Sequence, residues 1–275
     1  MTNFGQAEAK SRLEAIVRRT GDYELGFPPG VRVRVYASGR TGARGLTTAA
    51  AVFDPGMALD FHRHDCGEAI TVLEGTPTVL VEGRPHTLGR LDCVYVPGGV
   101  LHAVQNDSAT EARIHSAFAS PNPQRTFAEM GELPDSGSRG VGCPVPEAVS
   151  RFGLSSGYEL APGTDFHDLF AARLGSSGIC GGFGMFQPGS GLPCHFHEYD
   201  ESITIVAGHA VCQVEGRHYE VGLMDTAVIP EGLAHRFVNR RDSPMGMIWV
   251  YAGDEPRRVL VDNTRCSGAI GIASE

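Results

Sequence analysis

Two rhythms of apolar and polar positions run along this chain. Residues 7–19 carry Ala9, Leu13, Ile16 and Val17 as an apolar stripe, with Lys10–Glu14 and Glu14–Arg18 spaced for surface ion pairs. That pattern predicts a short amphipathic helix. From Val31 the period drops to two, as Val31, Val33 and Val35 alternate with Arg32 and Arg34, which predicts a half-buried strand. Short alternating runs broken by glycine and proline then fill most of the chain, so an all-β fold is expected. A stretch rich in Pro, Gly and Ser over 121–146 has the composition of a linker, with one more short helix expected over 146–152. The tail after 260 carries no pattern.

The strand-rich block occurs twice. Gly56, His62, His64, Glu68 and Gly75, followed by Pro97, Gly99, His102 and Asn106, return 133 positions later as Gly189, His195, His197, Glu201 and Gly208, then Pro230, Gly232, His235 and Asn239. Pro55/Pro188, Ile70-Thr71/Ile203-Thr204, Gly89/Gly222 and Asp92/Asp225 match at the same offset. So does Val-Glu-Gly-Arg, at 81–84 and 214–217, whose glycine between two alternating runs predicts a hairpin turn. Duplication accounts for this, and each copy becomes one structural unit.

Strand residues of equal parity share a face. His62, His64, Glu68, His102 and Asn106 are all even; His195, His197, Glu201, His235 and Asn239 are all odd. Strands meeting inside a small barrel can therefore aim three imidazoles and one carboxylate at one point, a donor set suited to iron, manganese, zinc, nickel or copper. The Pro-x-Gly-x-x-His segments read as tight turns feeding the last ligand.

Both blocks resemble the two motifs of the cupin superfamily, a glycine then His-x-His, Glu and Gly, followed by Pro-x-Gly-x-x-His-x-x-x-Asn. The match is complete at all four ligand positions of each copy. One departure stands out: where the family usually has a glycine six residues before the second proline, this chain has Leu91 and Met224. The resemblance implies a bicupin, two tandem antiparallel jelly-roll barrels, each holding one metal. Expected boundaries are an N-terminal helical extension over 1–30, cupin domains over 31–120 and 164–260, a linker over 121–163 and a tail over 261–275. The expected metal ligands are His62, His64, Glu68 and His102, and His195, His197, Glu201 and His235, with Glu68 and Glu201 as the catalytic carboxylates. Such proteins often keep one active and one structural site.

At 275 residues the chain can bury two cores. A net charge of −9 and the absence of a basic segment argue against nucleic acid or an anionic membrane as partner. Seven cysteines without a CxxC pair make a disulfide framework unexpected and favour a reducing compartment. The N-terminus has no apolar core of signal type, and a cytoplasmic monomer or homodimer is expected. Cys194, next to His195, faces away from the metal by parity and reads as a packing thiol; Arg63 and Arg236 face outward by the same rule. Asp92 and Asp225 read as turn residues and Trp249 as core, while His86, His167, His209 and His218 receive no role.

Asp60 and Cys66 stand where the second copy has Pro193 and Tyr199, and Val104 where it has Phe237. The first cup should thus be roomier and more polar. Glu74 and His115, absent from the second copy, are possible acid–base groups there, although a solvated glutamate and a hydrogen-bonded strand histidine are the plainer readings. Four protein ligands leave open positions for chemistry. Iron with O2, as in quercetinase-like and diketone-cleaving cupins, leads. A non-redox isomerase, cyclase or hydrolase and a manganese decarboxylase follow, with a catalytically silent small-molecule-binding cupin as the alternative from another class.

Overall fold

A computed structural model describes residues 12–128 and 146–267. The alternating runs become short strands. After β1 (Ala15–Val17), the first barrel contains β2 (Val31–Ala37), β3 (Thr47–Phe53), β4 (Ala58–His64), β5 (Glu68–Glu74), β6 (Thr78–Val81), β7 (Arg84–Thr87), β8 (Cys93–Val96), β9 (His102–Gln105), β10 (Ala112–Phe118) and β11 (Arg125–Phe127). After β12 (Ala148–Ser150), the second contains β13 (Thr164–Phe170), β14 (Cys180–Phe186), β15 (His195–Phe196), β16 (Glu201–Ala207), β17 (His209–Val214), β18 (Arg217–Gly222), β19 (Thr226–Ile229), β20 (His235–Val238), β21 (Met245–Tyr251) and β22 (Val259–Leu260).

Each barrel is a pair of sheets with inward side chains between them. In the first, the order β12-β8-β5-β10-β3-β2 lies over β11-β4-β9-β6-β7; in the second, β1-β19-β16-β21-β14-β13 lies over β18-β17-β20-β15-β22. Val33, Phe53, Ile70, Val79 and Val104 fill the first interior, and Phe166, Ile203, Cys212, Phe237 and Trp249 the second. The repeated Val-Glu-Gly-Arg turns as expected: Glu82 and Gly83, and Glu215 and Gly216, all have positive φ, the geometry of a two-residue hairpin that follows strand twist.

The two short helices expected near 7–19 and 146–152 are corrected. Residues 1–11 lie outside the described residues, and Ala15–Val17 is a strand; so is Ala148–Ser150. The two segments are copies of each other at the same offset of 133. Ala15 pairs with Val228, and Ala148 with Tyr95. Glu14 binds Arg217 (2.6 Å) and Tyr219 (2.7 Å), while Glu147 binds Arg84 (2.7 Å) and His86 (3.0 Å). Arg18 meets Asp225 at 2.9 Å and Arg151 meets Asp92 at 2.8 Å. Glu14 and Arg18 are thus four apart because each reaches a different tertiary partner, not because they pair on a helix. Asp92 and Asp225 hold the turns as expected, accepting from Gly89 N and Gly222 N.

The strand preceding the first barrel completes the sheet of the second, and the strand preceding the second completes the sheet of the first. This reciprocal exchange ties the barrels together. Between them lies a shared apolar layer that includes Tyr36, Leu46, Leu91, Phe170, Met224 and Ile248. Thr48 Oγ1 and Ser202 Oγ are 2.8 Å apart across it. Leu91 and Met224, the departures from the family glycine, have φ of 66° and 63° and are buried in this layer. A left-handed non-glycine residue costs about 1–2 kcal/mol, which burying a large apolar side chain (roughly 1.5–3 kcal/mol) offsets.

A second correction concerns sulfur. Cys194 and Cys266 form a disulfide with Cα atoms 5.8 Å apart, joining α1 (Asn263–Ser267) to the residue before His195. Cys194 is buried, but it is not a packing thiol, and the premise of a reducing compartment falls with it. With a sequence separation of 72 between the partners and no local motif, the pairing depends on the fold and has no sequence signature. Among the described residues, no helix is long and apolar enough to cross a membrane.

Two candidate metal centres

In the first barrel, β4 carries His62 and His64 on one face, β5 opens with Glu68, and β9 opens with His102 directly opposite His62. Gly99, at φ 80°, turns the chain before β9 and donates its N–H to His64 O at 2.8 Å, fastening the last ligand's turn to the first ligand strand. The donor atoms of His62, His64, Glu68 and His102 all lie within 4.8 Å of one another, and all four side chains are buried. His102 Nε2 is 3.0 Å from Glu68 Oε2, and His64 Nε2 is 3.5 Å from it.

The second barrel repeats the arrangement. His195, His197 and His235 bring their nitrogens within 4.8 Å, and Gly232 N donates to His197 O at 2.8 Å. Glu201 Oε2 reaches His235 Nε2 at 2.6 Å and His197 Nε2 at 3.4 Å. It therefore touches two of the three imidazoles rather than sitting equidistant from all.

The donor chemistry fits a metal. In all six histidines Nδ1 lies 2.5–3.0 Å from a backbone carbonyl: those of Asp60, Gln124, Val100, Pro193, Arg257 and Leu233. A carbonyl can only accept, so each ring carries its proton on Nδ1 and turns the Nε2 lone pair inward, as ligand histidines do. His197 Nε2, His235 Nε2 and Glu201 Oε2 are buried, and with the ring protons on Nδ1 their lone pairs face one another at 2.6–3.4 Å. A divalent ion among them would accept those lone pairs.

Electrostatics without an ion set one imidazole of each group apart. Burial pushes His62 down to about 3 and also lowers His64. Burial would raise Glu68, but the hydrogen bond from His102 and the three nearby imidazoles outweigh it and hold the carboxyl at about 2. Burial lowers His102 too, yet the Glu68 hydrogen bond and charge win and lift it above the usual value, as Glu201 does for His235. His102 and His235 are thus the rings that hold a proton to the highest pH. A ligand imidazole must be neutral, so metal affinity should fall as pH drops through their raised pKa values, beginning above the ordinary histidine value of ~6.5. Calorimetric metal titrations in buffers of different ionisation heat should show more protons released per site near pH ~6 than near pH ~8.5. Equal release at both would contradict the assignment.

The two cups differ in access. A cavity of about 250 Å³ opens onto His62, His64 and Glu68. Its walls are largely apolar, including Phe27, Val33, Ala51, Phe53, Leu59 and Ile114. The first cup has the expected room but not the expected polarity: Asp60 is exposed, and neither it nor Cys66 lines the cavity. In the second cup, Tyr199 stacks on His197 at 5.5 Å and Tyr251 lies 4.3 Å from the same ring, with Trp249 behind it.

The two extra groups proposed for the first cup are elsewhere. Glu74 is exposed beside Arg113, and His115 points into the interface between barrels, 3.3 Å from Thr204 Oγ1, where burial pushes it down to about 4. Arg125 was missed altogether. It lies in β11, opposite His64, within what reads as linker, and it lines the cavity. Carrying the offset of 133 past Asn106 would have found it, because Pro123 and Arg125 match Pro256 and Arg258.

The family profile described as Cupin domain matches residues 50–118 and 182–251, which together make up half of the chain. No curated protein shows significant sequence similarity to it. Among solved structures, an oxalate decarboxylase from Bacillus subtilis is similar at a TM-score of 0.73 and 17% identity, covering 91% of this chain and 78% of that one. A structure concerned with the Mn(II) centres of the Bacillus subtilis enzyme gives 0.73 and 17%, with 91% and 80% covered. The formate complex of Lactobacillus farciminis oxalate decarboxylase gives 0.74 and 16%, with 91% and 89% covered. At such identities the likeness is one of fold. Two matched domains, two jelly-roll barrels and two three-histidine clusters agree: the chain belongs to the cupin family and is a bicupin.

Proposed function

We propose that this bicupin is a metal-dependent enzyme, that the first cup is its working site, and that it performs oxygen-dependent cleavage of a small, largely apolar organic molecule. The carrying observation is the 250 Å³ apolar cavity that ends on His62, His64 and Glu68. Burying a polyanion against such walls is unfavourable, whereas an enol or similar group on an apolar body suits them. His62, His64, Glu68 and His102 hold a divalent first-row ion, iron in this reading, while manganese, zinc and nickel suit the same donors. Such an ion supplies Lewis acidity and, if redox-active, one-electron chemistry with O2. Glu68 is the catalytic carboxylate: kept ionised by His102 on the cavity floor, it can accept the substrate hydroxyl proton at Oε2. The apolar walls exclude water and orient the body of the substrate. His195, His197, Glu201 and His235, enclosed by Tyr199 and Tyr251, hold a structural ion.

Manganese-dependent decarboxylation is the second reading, favoured by the likeness in fold to oxalate decarboxylases. Metal-stripped protein reloaded separately with Fe(II), Mn(II), Zn(II) or Ni(II) should decide between them. Oxygen uptake with aryl enols or 1,3-diketones, dependent on Fe(II) and abolished by His62→Ala, is expected. Release of CO2 and formate from oxalate with Mn(II), without net O2 consumption, would replace the proposal by the second reading. Tight ligand binding with every metal but no turnover would make the protein a silent binding module.

A further inference from the structure

We infer that Arg125 is the docking point for an anionic group of the ligand, and that the first cup takes monocarboxylates with an apolar body. The inference rests on the proposed working site for its location and adds the substrate class. Arg125 stands in register with His64, so its side chain rises from the strand flanking the ligand strand to line the cavity. The guanidinium lies 4.2 Å from the Phe27 ring and 5.0 Å from that of Phe127. Among the described residues its one hydrogen bond goes to Gly26 O at 3.2 Å. Aromatic rings engage the faces of a guanidinium plane, whereas its N–H donors lie in the plane. Most of those donors are unmet here.

Among the described residues, no carboxylate pairs with Arg125. Glu24, which also lines the cavity, is engaged by Arg40 at 2.8 Å. Burial pulls the Arg125 guanidinium below its ordinary pKa, an effect that the nearby Glu68 charge offsets only in part. A half-buried charge without a partner is unfavourable unless a ligand supplies one. Among the described lining residues, Arg125 is also the only side chain with a permanent positive charge. A cation beside the metal-ligating side chains, with apolar walls beyond both, selects one carboxylate on an apolar body.

The test uses benzoate, phenylacetate and cyclohexanecarboxylate, each beside its neutral amide, titrated by calorimetry into metal-loaded and metal-stripped protein. The acids should bind the wild type about 10- to 100-fold more tightly than the amides, the range for a hydrogen bond to a charged partner. Arg125→Met should abolish that preference while keeping the metal content of the wild type, which shows the cup intact; Arg125→Lys should keep part of it. Equal binding of acids and amides by the wild type, a preference surviving in Arg125→Met, or no binding of any acid at millimolar concentration would overturn the inference. The metal-stripped arm separates the two readings. An Arg125-dependent acid preference there sustains the inference even if the catalytic proposal fails.

Discussion

His62→Ala should bind one metal ion where the wild type binds two, and should lose turnover. His195→Ala should also bind one but keep catalysis at the first cup. The asymmetry follows from the walls, because the first cluster opens onto a substrate-sized cavity, while Tyr199 and Tyr251 enclose His197 in the second. Changing only the partners that orient a ligand imidazole costs roughly 10–100-fold in metal affinity, so removing the imidazole itself should cost more. The effect should stay local, since the clusters are built on separate sheets. Elemental analysis of both variants beside their steady-state rates is the check. Two equivalents retained by either variant would refute the ligand assignment, and inactivation by His195→Ala alone would move the working site to the second cup.

Cys266→Ser should lower the unfolding free energy by up to about 4 kcal/mol, the chain-entropy value for a cross-link closing a loop of this length. The sequence separation of 72 places it toward the upper end of disulfide effects. Other fastenings of α1 remain and should soften the loss: Asn263 Oδ1 accepts from Cys194 N at 2.8 Å, and Arg265 pairs with Glu215 at 2.7 Å. Cys194 adjoins His195, so the variant should also release the second metal more readily than the first. Denaturant unfolding with and without reductant checks both points. Reduced wild type should match the variant, and a wild type indifferent to reductant would count against the cross-link.

The seven side chains that cluster, His62, His64, Glu68, His102, His195, His197 and His235, were legible because metal chemistry restricts residue type and strand parity restricts spacing, and both act locally. The hairpins at 81–84 and 214–217 were legible for the same reason. Leu91 and Met224 stood out only as departures, since the shared layer that rewards their side chains is made by distant parts of the chain. Glu14-Ala15-Ile16-Val17-Arg18 was misread because its charges lie four apart, and a helix is the local explanation of that spacing. The same misreading recurred over Glu147 to Arg151, the matching segment of the second copy. Arg125 and the Cys194–Cys266 cross-link escaped for one reason: what each does depends on residues that only folding brings near.

The exchanged strands also bear on the order in which the molecule can assemble. During synthesis Ala15–Val17 emerges more than two hundred residues ahead of its partner Thr226–Ile229. The first barrel, in turn, waits for Ala148–Ser150 before the edge at Cys93–Val96 is covered. Chains made on ribosomes generally fold from the N-terminus, domain by domain. Here Ala15–Val17 must remain unpaired until the second barrel is nearly complete, so it closes the structure rather than starting it. A ribosome that stalls between the barrels would expose an open sheet edge and an unmatched strand, each a site for pairing with a neighbouring nascent chain.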